Sequence, residues 1–443
     1  MTSVKQQDRD SSLSSVSPGV DSSVEGLNIL VLDEWIPYPP DSGKRVRTWN
    51  LLRRLARRHD ISLLCYGDSE SEAAQAVRSA RIALHTVAPL PELAGRRLYG
   101  RLLWNLLSPN PYSVSKHDTR RFREALRQLL SENHFDLVHF EWTPYATFAN
   151  EIAAFPWLIV AHNIESQIWS RRAQQSRTFA AATYFGLQAR KMGAFERSAV
   201  RGAHTVAAVT DLDAQQARAW GARNTALVEN GVDLEEFAPA SEPVRDAAEL
   251  LFLGSLDWYP NQDAVEYLLD RIMPPLAAQF PEARLRIVGR RAPPDLAKRV
   301  ARCSGAELVG EVPDVRPHLV RAAVVLVPLR IGGGSRIKIL ESLAMGKAVV
   351  STTIGAEGLA VTNGLHLLLA DSPEKFADCT LGLLRSPEQR AQLGKAGRKL
   401  VEERYSWDRA AETLESVWLR VSQRQPSGDT QGVDAREEEQ ANR

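Results

Sequence analysis

Short apolar runs alternate with longer amphipathic segments along almost the whole chain, and this alternation constrains the fold more than any other feature. The apolar runs of the first half are LNILVLD, ISLLCYG, FDLVHFEW, WLIVAHN and HTVAAVT. Those of the second half are AELLFLGSL, ARLRIVGR, AELVGEV, AAVVLVPL and KAVVSTT. Runs of this length, separated by helical periodicity, are typical of parallel sheets covered by helices. The sequence therefore predicts an α/β fold.

The chain is also long enough for two domains. Its 443 residues exceed what one hydrophobic core usually serves. Around residues 235–248 the composition shifts to proline, alanine and charge, which indicates a linker. We predict two Rossmann-like domains whose parallel sheets face each other across a cleft that holds the ligand at the carboxyl ends of the strands. The predicted boundaries are 1–24 for a disordered tail, 25–240 and 241–404 for the two domains, 405–422 for a terminal helix packing back toward the N-terminal domain, and 423–443 for a second disordered tail.

Composition excludes several classes of protein. The formal net charge of +1 gives no support to nucleic-acid binding. Three widely spaced cysteines form neither a metal-binding pattern nor a disulfide framework, which favours a reducing cytoplasmic location. No apolar run approaches the ~18 residues of a membrane-spanning helix. The arginine-rich segments 44–58 and 96–127 both contain tryptophan, and they are either solvated helix faces or contacts with an anionic membrane surface or ligand.

The segment GGGSRIKILES combines glycines, cations and one acid. Gly332–Gly334 follow a predicted strand, and Ser335 is a plausible N-cap of a helix whose free N–H groups favour an anion. Arg336 and Lys338 add mobile positive charge there, which opposes the helix dipole unless an anion neutralises it. Glu341 lies about 9 Å from Ser335 along the helix axis, at ~1.5 Å per residue, where a carboxylate would reach the hydroxyls of a ribose. The alternative is a glycine-rich turn with a Lys338–Glu341 surface pair.

The first half offers two further candidates. The loop PPDSGKR brings Gly43 to the start of a helix, either as a second anion-binding helix start or as a Pro-Gly turn. WLIVAHNIES ends a buried strand with His162, Asn163 and Glu165. A lone histidine is often structural, but the carboxyl end of a strand in an α/β domain is a favoured position for a functional residue.

An acid and two aromatic residues follow the preceding strand. The segment DLVHFEWTPYA places Glu141, Trp142 and Tyr145 there. Aromatic rings beside an acid suit a sugar, and they suit a domain interface equally well. Both interpretations stay open on sequence alone.

Taken together, these segments resemble glycosyltransferase family 4, a group of retaining sugar transferases with the GT-B fold. The resemblance runs from about Leu27 to Val421. It is carried by PYPPDSGKRVRTWNLLRRLA, AHNIES, VENGVD, LLFLGSLDWYPNQDAVEYL, LRIVGR, LVGEVPDV and VPLRIGGGSRIKILESLAMGKAVVST. The branch it most resembles is found with exopolysaccharide export clusters. This resemblance implies a cytoplasmic enzyme, peripheral on the inner face of the membrane, that takes a nucleotide-sugar and a sugar or lipid-linked glycan acceptor without metal or cofactor.

The resemblance also implies roles for residues. The N-terminal domain would bind the acceptor and the C-terminal domain the donor. His162 resembles the catalytic histidine that contacts the transferred sugar, and Glu341 resembles the second acid of the E-x7-E motif, which holds the ribose. The predicted donor-binding residues are Gly43, Lys44, Gly254, Ser255, Glu311, Val312, Gly333, Gly334, Ser335, Arg336, Lys338 and Glu341. The predicted acceptor-binding residues are Glu141, Trp142 and Tyr145.

Two departures from the family pattern stand out. The first acid of E-x7-E would fall at Gly333. Ser255 and Asn261 stand where many relatives carry the arginine and lysine that neutralise the diphosphate. Our hypothesis is that Arg336 and Lys338 supply the missing positive charge.

The implied chemistry needs no metal. Loss of a nucleoside diphosphate leaves an oxocarbenium-like sugar, and stabilisation of the leaving diphosphate is the main catalytic contribution. The acceptor hydroxyl then attacks from the same face, which gives retention. A sugar-nucleotide epimerase with the GT-B fold and a catalytically silent GT-B scaffold remain as alternatives.

Overall fold

The computed structural model describes residues 26–90, 95–176, 178–240, 248–331 and 336–423. The predicted tail 1–24, the chain from residue 424 onward and residues 241–247 of the predicted linker lie outside the described residues. Gly332–Ser335, at the centre of the glycine-rich segment, also lie outside them.

The N-terminal sheet has a strand order that creates a switch point for ligand binding. In the described chain its seven strands are all parallel and lie in the order β3-β2-β1-β4-β5-β6-β7. The strands are β1 Asn28–Trp35, β2 Asp60–Tyr66, β3 Ile82–Val87, β4 Leu137–Phe140, β5 Trp157–Ala161, β6 Thr205–Ala208 and β7 Thr225–Leu227. The chain reverses its direction of sheet growth between β1 and β4, and ligands of such sheets bind beyond the carboxyl ends of the strands there.

The C-terminal sheet repeats this plan. Its six described strands, also parallel, lie in the order β10-β9-β8-β11-β12-β13. They are β8 Glu249–Leu253, β9 Arg284–Val288, β10 Ala306–Gly310, β11 Val324–Val327, β12 Ala348–Ser351 and β13 Leu368–Leu369. The reversal here lies between β8 and β11. The predicted fold of two Rossmann-like domains is therefore confirmed.

Helices cover both faces of the two sheets. In the N-terminal half they are α1 Gly43–Leu55, α2 Glu72–Ser79, α3 Gly95–Asn105, α4 Tyr112–His117, α5 Arg120–Glu132, α6 Glu165–Gln174, α7 Phe179–Gly202 and α8 Asp211–Ala219. In the C-terminal half they are α9 Tyr259–Tyr267, α10 Met273–Gln279, α11 Pro294–Arg302, α12 Arg316–Arg321, α13 Ile337–Ala344, α14 Pro373–Arg385, α15 Pro387–Arg404 and α16 Trp407–Ser422. A 3₁₀ segment at Thr143–Ile152 and a π-helical turn at Leu268–Ile272 complete the helical structure.

Three strands are missing from the sequence prediction. β3 is an edge strand whose inner positions are only half-buried or exposed, so its apolar signal is weak. β7 and β13 contain three and two residues, which is too short to show any periodicity. The other ten strands coincide with the predicted apolar runs. Most of them are buried on both faces, whereas β10 is a partly exposed edge strand.

The last described helix returns to the N-terminal half. α16 packs against α1, and its Trp407, Leu414, Val417 and Trp418 belong to the same buried cluster as the strands of the first sheet. Full burial of an apolar side chain of this size contributes roughly 1.5–3 kcal/mol. Several such side chains hold α16 firmly on a domain from which it is distant in sequence.

Candidate active site

A cleft of about 1670 Å³ separates the two sheets at the carboxyl ends of their strands. Its walls include the segments that follow β1, β5 and β8 together with the start of α13. Eleven of the predicted site residues line it: Gly43, Lys44, Trp142, His162, Gly254, Ser255, Glu311, Val312, Arg336, Lys338 and Glu341. The fold therefore gathers into one cleft residues that are up to about three hundred positions apart.

Five predicted site residues are not among those lining the cleft. Gly333, Gly334 and Ser335 lie outside the described residues. Glu141 and Tyr145 are buried, with 1% and 0% of their surfaces exposed. The structure leaves these two side chains no surface with which to touch an acceptor. Tyr145 packs among the rings of Phe122, Phe148 and His117 instead.

Lys338 projects from α13 toward the end of β8. Its Nζ donates a hydrogen bond of 2.9 Å to Asn261 Oδ1 and lies 4.8 Å from the centre of the Phe252 ring. Burial, with a smaller effect of the Arg336 guanidinium, lowers the pKa of Lys338 to about 7. The ammonium thus stands beside Asn261, a neutral amide, at the position where the resemblance predicts a missing lysine.

Glu341 lies one turn further along α13 and is half-buried in the wall of the cleft. Burial, together with the charge of Glu236, raises its pKa to about 8. No ion pair joins Glu341 to Lys338 among the described residues, and neither side chain is a freely exposed surface group. The alternative of a simple surface pair at this helix is therefore wrong.

Arg336 is held more tightly than the sequence suggested. It is the N-cap of α13, one residue later than the predicted Ser335, and only 3% of its surface is exposed. Its Nη2 donates to Ile354 O at 2.6 Å, and the guanidinium lies 3.6 Å from Glu357. Burial lowers its pKa to about 10. The prediction of mobile charge is wrong for Arg336, because Ile354 and Glu357 of the segment after β12 fix its guanidinium.

Glycines allow the two central strand ends to approach each other. A Cβ atom on Gly289, just after β9, would lie 1.9 Å from the carbonyl oxygen of Gly254, just after β8. A Cβ on Gly254 would lie 2.8 Å from the side chains of both Asn261 and Lys338. The lysine can therefore reach the strand end only because residue 254 has no side chain.

The loop after β1 crosses the cleft toward the second domain. Ser255 Oγ donates to Asp41 O at 3.2 Å, and Arg290 forms an ion pair with the Asp41 carboxylate. Gly43 begins α1, and the next residue, Lys44, is paired with Asp33 at the end of β1. The charge of Lys44 is thus already neutralised by Asp33.

His162 directly follows β5 and is one of the residues that line the cleft, with 4% of its surface exposed. Its Nε2 lies 2.7 Å from the backbone oxygen of Glu141 and 3.2 Å from the Glu141 carboxylate. Three residues later Glu165, which also lines the cleft, accepts a hydrogen bond of 3.0 Å from Trp142 Nε1. Burial raises the pKa of Glu165. Sequence reasoning gave Glu165 no role, although its place in AHNIES after a strand end was the available signal.

Two models of glycosyltransferase domains match this chain. "Glycosyl transferase 4-like domain" matches residues 42–231, and "Glycosyl transferases group 1" matches residues 247–386. The chain belongs to the family 4-type glycosyltransferases with the GT-B fold. Glu341 lies on α13 within the region that the second model matches, and its assignment to the second acid of E-x7-E stays a prediction.

Relatives of the family resemble parts of the chain. A GDP-mannose-dependent monoacylated α-(1-6)-phosphatidylinositol monomannoside mannosyltransferase of Corynebacterium glutamicum is 30% identical over 207 residues, covering 42% of this chain and 54% of the relative. A phosphatidyl-myo-inositol mannosyltransferase of Mycolicibacterium smegmatis is 29% identical over 206 residues, covering 44% and 52%. The chain therefore spans about half the length of these curated relatives.

Solved structures of the same fold match much more of the chain. Sucrose-phosphate synthase from Thermosynechococcus elongatus superimposes with a TM-score of 0.68 at 17% identity, covering 89% of this chain and 99% of that one. HepE of Anabaena, solved in complex with UDP and glucose, gives a TM-score of 0.65 at 13% identity, with coverages of 88% and 99%. At these identities the likeness establishes the GT-B fold alone.

Proposed function

We propose that this chain is a retaining glycosyltransferase that moves a sugar from a nucleoside-diphosphate sugar to a hydroxyl acceptor. The observation that carries the proposal is the position of Lys338. Its ammonium lies beside Asn261 at the end of β8, in a cleft that also contains His162 and Glu341. A cation there replaces the diphosphate-binding lysine that the chain lacks at residue 261. An enzyme that releases a nucleoside diphosphate needs such a charge at the leaving group.

The donor would lie along the wall that the C-terminal domain contributes to the cleft. Lys338 would contact the diphosphate, Glu341 would accept hydrogen bonds from the ribose hydroxyls, and the backbone at Glu311 and Val312 would frame the base. The sugar would then point toward His162 on the opposite domain. As the bond to the diphosphate breaks, Lys338 would stabilise the negative charge of the leaving group without a metal ion. The acceptor hydroxyl would attack from the same face, and its proton would pass to the departing phosphate.

Helix α3 supports an acceptor that is attached to a membrane lipid. It exposes 68% of Tyr99, 66% of Leu103 and 76% of Trp104, and Leu107 just beyond its end is 80% exposed. Its exposed arginines, Arg96 and Arg97, lie among these apolar side chains, and Arg101 of the same helix lines the cleft. Aromatic and leucine side chains with interleaved cations suit the interface of an anionic bilayer. We therefore assign the reaction to glycolipid or exopolysaccharide synthesis at a membrane surface.

No helix in the described part of the chain is long and apolar enough to cross a bilayer. Attachment through α3 would therefore be peripheral. The test is sedimentation with vesicles of phosphatidylglycerol and phosphatidylcholine. Trp104→Ser with Leu107→Ser should release the protein, whereas Leu365→Ser, at a 52% exposed leucine of the other domain, should not. Equal sedimentation of all variants would contradict the membrane role.

The reaction itself is tested with a panel of UDP-, GDP- and ADP-sugars. The matching donor should raise the melting temperature, because a ligand that binds only the folded state stabilises it by mass action. With a bacterial lipid extract as acceptor, that donor should release nucleoside diphosphate. The anomeric configuration of the product, read by NMR, should equal that of the donor. Conversion of the donor without any acceptor would favour an epimerase, and the absence of any shift or release would favour a silent scaffold.

A further inference from the structure

Glu141 is a buried carboxylate at the centre of a chain of contacts that leads from the last helix to the cleft. Trp418 Nε1 of α16 donates to His139 Nδ1 at 3.1 Å. His139 Nε2 lies 2.8 Å from Glu141 Oε2, and Thr48 of α1 donates to Glu141 Oε1 at 2.9 Å. On the far side, His162 Nε2 lies 2.7 Å from the backbone oxygen of the same glutamate.

The chemistry of these atoms fixes which ring nitrogens carry protons. An indole N–H only donates, so His139 Nδ1 is the acceptor and its proton resides on Nε2, toward Glu141. A backbone carbonyl only accepts, so His162 Nε2 carries a proton as well. In its neutral form His162 therefore has a bare Nδ1. That atom is buried and has no hydrogen-bond partner among the described residues, and His162 is one of the residues that line the cleft.

The charge of Glu141 survives burial because its neighbours compensate for it. Burial alone would raise the pKa of Glu141, but His139 and His162 outweigh that effect and hold the pKa well below its usual range. The fully buried Arg47 also interacts with this charge. Removal of one partner from such a group leaves an uncompensated charge, which is strongly unfavourable. Each member of the network therefore constrains the others.

We propose that Glu141 is a positioning residue that holds His162 with its bare Nδ1 available to a hydroxyl of the transferred sugar, and that His139 and Trp418 of α16 hold Glu141 in turn. This inference rests on the proposed function. It gives Glu141 the role of orienting His162, in place of the predicted contact with the acceptor. It also gives the return of α16 to the N-terminal domain a consequence for catalysis, because the last member of the network belongs to that helix.

A purely structural role for α16 predicts something different. The helix contains a second buried tryptophan, Trp407, which is 2% exposed. Its indole donates no hydrogen bond to any of the described residues. If α16 only packs, phenylalanine at either tryptophan position should have similar effects. If the network positions His162, only Trp418→Phe should alter the histidine rings and the rate of transfer.

The first test is the two-bond ¹H–¹⁵N spectrum of the full chain labelled on its histidines, with His139→Gln and His162→Gln used for assignment. Both rings should show the Nε2–H tautomer in the wild type. Trp418→Phe should shift the His139 and His162 signals, and Trp407→Phe should leave them unchanged. An Nδ1–H tautomer at either ring, or equal spectra for both phenylalanine variants, would overturn the proposal.

The second test is turnover with the donor found in the panel. Glu141→Gln should lower kcat about 100-fold, the lower end of the range for a positioned catalytic group, while the donor Kd stays within about twofold. Trp418→Phe, which removes no charge, should lower kcat several-fold. Glu249→Gln removes another buried carboxylate, far along the chain in β8, and should leave kcat unchanged.

The two proposals fail in different ways. If the wild type transfers sugar and both Glu141→Gln and Trp418→Phe keep its kcat, the positioning role is wrong while the proposed function stands. If the wild type transfers no sugar from any donor, the proposed function is wrong and the catalytic role of the network falls with it. Loss of donor binding in Trp418→Phe would show general damage and would also contradict the proposal.

Discussion

The two halves of the molecule share one sheet topology but treat the cations at their strand ends differently. In the N-terminal half, Lys44 is paired with Asp33, and Arg45 lies 3.0 Å from Asp41. In the C-terminal half, Lys338 lies against the neutral amide of Asn261 and has a pKa near 7. A cation that forms no ion pair retains its capacity to bind an anion. The comparison therefore favours the second half as the proposed site of diphosphate recognition.

The largest expected effect is the loss of Lys338. We expect Lys338→Met to lower kcat/KM for transfer by about 10²–10³, the range for removal of one group that stabilises the charge of a leaving group. Lys44→Met should lower kcat/KM far less, because Lys44 already forms an ion pair with Asp33. Steady-state assays of both variants test the contrast. Equal losses would mean that the first half also binds the diphosphate.

The pH dependence of donor affinity should follow Lys338. A bound diphosphate favours the ammonium, so above pH 7 the lysine must take up a proton, and affinity should fall by up to about tenfold per pH unit. Glu341 acts in the opposite direction, since its pKa of about 8 means that it loses a proton as the pH rises. Calorimetry of nucleoside diphosphate binding to Glu341→Gln between pH 7 and 9 measures the effect of Lys338 without that of Glu341. Adding Lys338→Arg should remove the fall in affinity with pH. A flat pH profile in Glu341→Gln with Lys338 intact would contradict this role.

A smaller effect is expected for the ribose contact itself. At one pH, Glu341→Gln should weaken binding of the nucleoside diphosphate about tenfold, because a hydrogen bond to a charged group contributes roughly 1.5–3 kcal/mol and the amide retains part of it. Glu311 is a matched control, because the resemblance gives only its backbone a role. Glu311→Gln should bind normally by calorimetry. If Glu311→Gln weakened binding more than Glu341→Gln, the ribose would be bound by the Glu311 carboxylate.

The smallest effect is expected where the halves touch. Arg171 of α6 forms two hydrogen bonds of 3.1 and 3.2 Å with Glu357 of the second domain. This ion pair is partly exposed and contributes about 0–1 kcal/mol. Arg171→Gln, which leaves the Glu357–Arg336 pair in place, should change donor KM less than about threefold in steady-state kinetics. A larger change would show that closure of the cleft depends on this contact.

Sequence predicted the fold well because each central strand is buried on both faces. Runs such as LLFLG need no partner to be recognised. The edge strand β3 and the very short β7 and β13 escaped, because neither their exposure nor their length produces a clear signal. The strand ends indicated where the cleft lies, because parallel strands bring their carboxyl ends to one edge of the sheet.

The roles of individual charges could not be read from sequence. Arg336 and Lys338 are two residues apart, yet Glu357 and a backbone carbonyl bind the first, whereas the second reaches Asn261. Glu141 and Trp142 are adjacent, but only the tryptophan lines the cleft. Neighbouring side chains point to different surroundings, and those surroundings come from elements 18 to 93 residues away along the chain. Only the tertiary fold supplies that information.

The central claim is that Lys338 on α13, and not Lys44 on α1, binds the diphosphate. The most direct measurement is calorimetric titration of UDP, GDP and ADP into the wild type, Lys338→Met and Lys44→Met at pH 7. One nucleotide should bind the wild type and Lys44→Met with similar affinity, and its affinity for Lys338→Met should be about 10- to 100-fold weaker, as expected for loss of a charge-assisted hydrogen bond. Wild-type affinity in Lys338→Met would contradict the account.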